Sequence, residues 1–175
     1  MEKKYLIATL IVFVMAIFVV GLNIDNNEAI PEGVGDGLDY GSNVRVYLND
    51  ELVDSTENTV TTAGLNNVLS ALAYGQSTLI TNLTVGNTTA PAAGETALAG
   101  IYTTHGLAGE TGTVNSNGDG NWSVAYTWTC TSGAVTVNTT ALYNVTNAMF
   151  AGTTFTATTL QTDDQLKVNY TLWVS

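Results

Sequence analysis

Six asparagines stand in Asn-x-Ser/Thr motifs that have a residue other than proline in the middle. This motif is the acceptor for N-linked glycosylation, a modification of surface positions in exported proteins. All six lie beyond residue 80, as expected if this part of the chain is exported. Asn121 and Asn169 fall on the polar faces of predicted strands, so we expect these two to be modified among the earliest. The glycosylation candidates are Asn82, Asn87, Asn121, Asn138, Asn144 and Asn169.

Catalytic residues are harder to find. His105 is the one histidine of the chain, so a Ser-His-Asp hydrolase would have to use it, but no serine lies in a nucleophile-elbow sequence. A carboxylate pair for acid–base chemistry could come from Glu95, Glu110, Asp163 and Asp164, but nothing in their spacing fixes the separation that such a pair needs. The sequence therefore predicts a protein that is not an enzyme and has no cofactor.

Metal binding is not predicted either. The segment 115–121 has oxygen-bearing side chains at alternate positions and Gly120 at the sixth, as in a calcium-binding EF-hand loop. Tyr126, however, occupies the twelfth position, where such a loop requires a bidentate glutamate. The Asn and Gly content instead predicts a hairpin turn over 115–120.

Composition excludes nucleic acid as a partner. The chain carries 15 Asp and Glu against 4 Lys and Arg, for a net charge of −11. Arg45 and Lys167 alone cannot form the basic patch that a phosphate backbone requires.

Cys130 is the single cysteine, which excludes an intrachain disulfide. We expect it to be buried as a small apolar residue, with a bridge between chains as the alternative.

The three tryptophans could form a sugar-binding platform if their rings were exposed. Trp122 and Trp128 share one predicted strand face with Val124 and Tyr126, which favours packing in the core. Trp173 shares a face with polar residues, so we expect it to be exposed.

The N-terminus contains an apolar stretch long enough to cross a bilayer. Tyr5–Leu22 runs 18 residues without a charge, directly after Lys3 and Lys4. A helix of this length spans roughly 27 Å, close to the hydrocarbon thickness of a membrane. The basic flank is expected to stay in the cytoplasm, so residues beyond Asn23 would face outside. We therefore predict a membrane helix over 1–22.

Three interpretations of this helix remain open. It can be an uncleaved signal anchor surrounded by lipid, which its length and the lack of an Ala-x-Ala site favour. It can pack against copies of itself in the core of a pilin-like filament, because such a helix has the same composition. It can also be a cleaved secretory signal, although Val19 and Gly21 match a cleavage site only weakly.

Residues 23–42 are predicted to form an acidic stalk between the helix and a folded domain. They contain Pro31 and several glycines, a composition typical of flexible linkers. Nine of the 15 acidic residues lie between Asp25 and Glu57. That concentration would repel anionic head groups and hold the domain away from the membrane.

Residues 43–175 are predicted to form one mainly β domain outside the membrane. Alternation of apolar and polar residues recurs along most of this region, with a turn at Asn49 and Asp50 joining the first two strands. Strands spaced this regularly, without alternating helices, predict an antiparallel β-sandwich that is immunoglobulin-like or jelly-roll-like. The predicted strands cover 43–48, 51–54, 77–85, 121–130, 134–143, 152–160 and 166–174.

One short helix is predicted within this domain, over 63–74. Leu65, Val68, Leu69 and Leu72 recur at helical spacing, which predicts the helix. Gly75 is expected to end it.

Short motifs in residues 59–175 carry a resemblance to a known class of protein. They are Thr62-Ala-Gly-Leu65, Leu83-Thr-Val-Gly-Asn-Thr-Thr-Ala-Pro91, Leu142-Tyr-Asn144 and Asp164-Gln-Leu166. By these motifs the segment resembles a β domain of tail-fibre-type virion surface proteins of phages and archaeal viruses. The resemblance implies a structural, non-enzymatic β domain displayed on a particle surface.

Two features depart from that pattern. Such proteins usually lack an N-terminal membrane helix, and Ala141 stands where a glycine is expected before the Leu-Tyr pair. The first departure points to a membrane-containing virion, a host-surface protein or a filament subunit rather than to a tail fibre.

These observations predict a structural or adhesive protein that is displayed on a virion or cell surface through its N-terminal helix. The alternative is a subunit of an extracellular filament that assembles through Tyr5–Leu22. The expected partners are membrane lipid or further copies of the chain, in a homo-oligomer on a surface, with a host-surface receptor as a candidate. A secreted carbohydrate-active enzyme is a third class, which the lack of an identifiable acid–base pair disfavours.

Overall fold

The computed structural model describes residues 40–75, 79–118 and 120–174. The predicted N-terminal helix, and the predicted stalk as far as residue 39, lie outside these residues. Ten strands and one helix follow one another along the described residues. In chain order they are β1 Tyr40–Leu48, β2 Glu51–Glu57, β3 Thr59–Val60, α1 Thr62–Tyr74, β4 Ile80–Gly86, β5 Glu110–Thr111, β6 Thr113–Gly118, β7 Asn121–Thr129, β8 Val135–Asn144, β9 Met149–Leu160 and β10 Gln165–Val174.

The strands form two antiparallel sheets of five strands each. The first sheet has the order β2-β1-β10-β7-β6, and the second has the order β3-β9-β8-β4-β5. The turn between β1 and β2 consists of Asn49 and Asp50, both with positive φ, a geometry that matches the twist of a two-residue hairpin. We call residues 40–174 the two-sheet domain. The prediction of a mainly β domain with antiparallel pairing and one short helix is confirmed.

The two sheets share one hydrophobic core. Trp128 and Tyr170 from the first sheet meet Leu83, Leu142 and Phe150 from the second in a single buried cluster. Burial of a large apolar side chain stabilises a fold by about 1.5–3 kcal/mol relative to leaving it exposed. This shared core therefore holds the sheets face to face.

Helix α1 lies against β9 through a residue that has no side chain. Thr61 caps its N-terminus, because the Thr61 hydroxyl accepts a hydrogen bond from Gly64 N at 3.0 Å. A Cβ atom at Gly64 would collide with the carbonyl oxygen of Phe150, so glycine permits this close approach. Gly75, in the left-handed conformation, ends the helix as predicted. No helix of the described residues is long and apolar enough to span a membrane.

Leu65, which has the helical spacing of the apolar residues of α1, is 44% exposed, and the helix approaches β9 closely at Gly64. One prediction of secondary structure within the domain is wrong. Residues 115–118, expected in a turn, belong to β6, which continues to Gly118 through an irregularity after Ser116.

Part of a long segment that we call the covering loop, residues 87–109, lies over the outer face of the second sheet. Leu98 packs there in a small buried cluster with Ala141, Tyr143 and Met149. The loop is also held by its backbone, since Met149 N donates to the Thr96 carbonyl at 3.0 Å. This face of the sheet is therefore partly buried by irregular chain.

Candidate functional site

The six sequon asparagines differ in exposure. Asn87 is exposed, Asn144 is buried, and the other four are half-buried. Asn169 lies in β10, between β1 and β7, and its side-chain oxygen is buried without a hydrogen-bond partner among the described residues. Exposure therefore favours Asn87 over Asn121 and Asn169 as the first site of modification.

Asn144 has a structural role in the turn between β8 and β9. Its Oδ1 accepts hydrogen bonds from Thr146 N at 3.0 Å, Thr146 Oγ1 at 2.8 Å and Ala148 N at 2.9 Å. The side chain is only 6% exposed. A glycan on this asparagine would have to displace a side chain that holds the turn together.

A groove of about 390 Å³ lies between β4, β5 and the covering loop. Two hydrogen bonds shape it: Leu98 N donates to the Tyr143 hydroxyl at 2.7 Å, and the Thr111 hydroxyl donates to Asn82 Oδ1 at 3.1 Å. Thr84 Oγ1 is buried without a hydrogen-bond partner among the described residues. The lining consists of Asn82, Leu83, Thr84, Ala97, Leu98, Ile101, Gly109, Glu110, Thr111, Tyr143 and Asn147.

The chemistry of this lining suits binding. Amide, hydroxyl and carboxylate groups stand beside Leu98 and Ile101, a mixture that can contact a small polar ligand with an apolar face. Among the described residues that line the groove, Glu110 is the one charged residue, and none is a serine, cysteine, histidine or lysine. The hydroxyl groups of the lining come from Thr84, Thr111 and Tyr143.

Four loops meet at the end of the domain opposite Tyr40, and we call them the distal tip. Pairing of Tyr40 with Val174 and of Leu48 with Leu166 shows that β1 runs from one end of the domain to the other. The tip consists of residues 49–50, 104–107, 130–134 and 161–164. Asn49 Nδ2 donates to Asp164 Oδ1 at 2.9 Å, which ties two of these turns together.

His105 joins the other two loops of the tip. Its Nδ1 lies 2.9 Å from the Ser132 carbonyl oxygen, and Thr131 N donates to the His105 carbonyl at 2.9 Å. Its backbone has φ 59°, a left-handed conformation. In this position His105 contacts backbone and hydroxyl oxygen, so its observed contacts are structural.

Cys130, the first residue of the loop 130–134, is fully buried, which confirms the expectation of a small buried residue. Its backbone is held on both sides: Cys130 N donates to Asp164 O at 2.8 Å, and Asp163 N donates to Cys130 O at 2.7 Å.

The candidate carboxylates lie in three different elements. Glu95 is exposed in the covering loop, Glu110 is in β5, and Asp163 and Asp164 are in the turn before β10. Hydrogen bonds from the Asn49 amide, and then from Gln161 N, hold the pKa of Asp164 below its usual value. Among the described residues, no group of three or more His, Cys, Asp and Glu side chains could hold a metal ion.

The tryptophans do not form one exposed platform. Trp128 is 1% exposed, as predicted, and its indole N–H donates to the Ala108 carbonyl at 2.7 Å. Trp122 is half-buried against the core. Trp173, expected to be exposed, is half-buried because its indole lies across Gly41, where a Cβ atom would collide with the ring.

No family model, curated protein or solved structure matches this chain.

Proposed function

We propose that the protein is a non-enzymatic structural or adhesive surface protein, displayed on a virion or cell surface through its N-terminal helix. The charge-free Tyr5–Leu22 and its basic flank support attachment with the two-sheet domain outside. The resemblance of residues 59–175 to virion surface proteins supports the virion in particular.

One observation carries this proposal: the chain enters the domain at the end opposite the distal tip. The N-terminal segment joins the domain at Tyr40, where β1 begins. Nine residues of strand at about 3.3 Å each place the tip roughly 30 Å from that point. The distal tip is therefore the end of the domain away from the point where the chain enters it, which supports a role for the tip in contacts with a partner.

The tip and the groove are the surfaces that we assign to adhesion. Loops on a rigid scaffold commonly carry recognition, and those of the tip are tied together by side-chain hydrogen bonds such as that between Asn49 and Asp164. A host-surface receptor is the proposed partner of this end.

Hairpins within one sheet, as in β1–β2 and β8–β9, favour an immunoglobulin-like arrangement of the domain over a jelly-roll-like one, and this finer class stays a prediction.

The alternative proposal is a subunit of an extracellular filament. An unprotected edge strand, β6, favours it, because such an edge can pair with another chain. In that case Tyr5–Leu22 packs against copies of itself.

Surface display is tested with a sequence-specific protease. Its recognition site is inserted at Gly94, an exposed position of the covering loop where an added Cβ atom meets nothing within 4 Å. We expect cleavage on intact expressing cells or particles. Cleavage only after lysis would contradict the outside location, and the lysed sample proves that the site can be cut.

A further inference from the structure

The four edge strands of the two sheets are not equally protected. β3 and β5 are only two residues long. β2 carries Glu51, Asp54 and Glu57, and its Asp54 carboxylate accepts hydrogen bonds from Thr156 N at 2.6 Å and Thr156 Oγ1 at 2.9 Å. Short length, charge and such cross-links are the usual means by which proteins prevent edge-to-edge pairing.

β6 has none of these protections. All six of its residues are exposed, and its sequence, Thr-Val-Asn-Ser-Asn-Gly, contains no charge and no proline. On one side it pairs with β7; on the other side it ends the first sheet. Only the irregularity after Ser116 disturbs it, which leaves 113–116 as a regular strand whose outer edge pairs with no other strand of the described residues.

We propose that this edge pairs antiparallel with the same edge of a second copy of the chain. Antiparallel pairing about a two-fold axis places each strand against itself, the commonest symmetry of homo-oligomers. Because the strand is uncharged in a chain of net charge −11, this pairing brings no like charges directly opposite each other within β6. It would also cover Val114, the one apolar side chain of the strand, which is 50% exposed.

The pairing is weak between free molecules. A contact confined to six residues a side falls well short of the 20–30 residues a side of a standard interface. Copies held on a common surface have a high effective concentration, so a weak contact suffices there. In this respect the inference rests on the proposed function.

Cysteine cross-linking in the full chain tests the contact. Val114→Cys is expressed in the native membrane or particle and treated with a mild oxidant, and disulfide-linked dimer is measured on a non-reducing gel. We expect several-fold more dimer than for Thr127→Cys, a matched exposed position on β7. Native Cys130 is fully buried, so the parent chain gives the background.

A second substitution tests whether the contact is strand pairing. Adding Asn115→Lys, also exposed, brings two positive charges together in the paired form and should reduce the dimer to the Thr127→Cys level. Equal yields at both cysteines, no effect of the lysine, or a cross-link to a different protein would each overturn the inference. Protease cleavage at Gly94 is independent of this contact, so failure of the pairing alone leaves the proposed display standing.

Discussion

Asn49 and Asp164 are 115 positions apart in the sequence, and their side chains join the first turn of the domain to its last. The Asn49 amide donates to Asp164 Oδ1 at 2.9 Å, while Asn49 Oδ1 accepts from Gln165 N at 2.8 Å. Asp164 Oδ2 in turn accepts from Gln161 N at 2.7 Å. The two side chains thus add to the backbone hydrogen bond from Asn49 N to Gln165 O, where β1 and β9 end and β10 begins.

Replacement of Asn49 should weaken the distal tip. Asn49→Ala removes two hydrogen bonds and places alanine at φ 50°, so we expect a loss of roughly 1–3 kcal/mol in the free energy of unfolding. Asn49→Gly is the matched control, because glycine tolerates that backbone and should lose less. Urea denaturation of the solubilised chain, followed by tryptophan fluorescence, measures both. Equal stability of the alanine variant and the parent would contradict the role of this contact.

Acid should destabilise the domain partly through Asp54 and Asp164. The pKa of Asp54 is lowered mainly by the hydrogen bond from Thr156 N, and that of Asp164 mainly by the Asn49 amide. A carboxyl group with a lowered pKa stabilises the fold above its unfolded pKa of about 3.9, and this contribution is lost as the pH falls through the folded pKa.

The pH dependence of unfolding measures this contribution. We expect a variant with both Asp54→Asn and Asp164→Asn to be less stable than the parent at pH 7, and the difference to shrink below about pH 4. A difference that stays constant from pH 7 to pH 2 would show that these carboxylates do not cause the acid sensitivity.

Two sequon asparagines should differ in how strongly the same substitution lowers stability. Asn144→Gln moves the amide oxygen one methylene group further from the backbone, out of reach of Thr146 N and Ala148 N, so we expect a loss of roughly 1–3 kcal/mol in the free energy of unfolding. Asn87→Gln, at an exposed position, should stay within about 0.5 kcal/mol of the parent. Urea denaturation of both variants compares them directly.

Glycan occupancy should show the reverse order. In a host with N-glycosylation machinery, Asn87→Gln should reduce the intact mass by one glycan, whereas Asn144→Gln should leave the glycan mass unchanged. Mass spectrometry that finds Asn144 occupied and Asn87 bare would refute the ranking by exposure.

Periodicity in the sequence predicts the regular strands well, because strong alternation leaves few other ways to bury the apolar residues. In β10, Leu166, Val168, Tyr170 and Leu172 are all fully buried, as expected from their spacing. The covering loop could not be predicted in this way. Its buried Leu98 and Leu107 are scattered among glycine and alanine without a period, so only the tertiary structure reveals what they contact.

In the candidate site, too, some features can be predicted from the sequence and others only from the tertiary structure. The sequons are visible in the sequence, but their exposure depends on neighbours that no local pattern reports. Asn144 is buried because its side chain bonds to its own turn, and Asn169 is half-buried because it lies in a central strand. The groove joins residues from distant segments, such as Asn82 and Tyr143, which only strand pairing brings together.

Helix α1 should be sensitive to a change that normally stabilises helices. Replacing glycine by alanine inside a helix usually gains about 1 kcal/mol. At Gly64 the added Cβ atom meets the Phe150 carbonyl, so we expect Gly64→Ala to lose roughly 1–3 kcal/mol instead. Asn66→Ala, at an exposed helical position, is the control and should gain a few tenths. If both variants gain stability, the helix does not depend on this close approach.

The composition of the predicted N-terminal helix bears on the choice between an anchor and a filament. Large apolar residues fill Tyr5–Leu22 almost uniformly, and Ala8, Ala16 and Gly21 are its only very small residues. No two of these small residues have the spacing of a helix-docking face, which favours lipid as the neighbour of the helix.

Substitution within this helix separates the two roles. An anchor needs only apolar side chains, so exchanging Val12, Val14, Ile17 and Val20 together for leucine should leave surface display unchanged. A filament core needs complementary shapes, and packed interiors respond to changes of a single methylene group. We expect the variant to reach the surface as the parent does, with no filaments in either sample by electron microscopy. Filaments that form from the parent and are lost in the variant would instead establish the helix as the packed core of an extracellular filament.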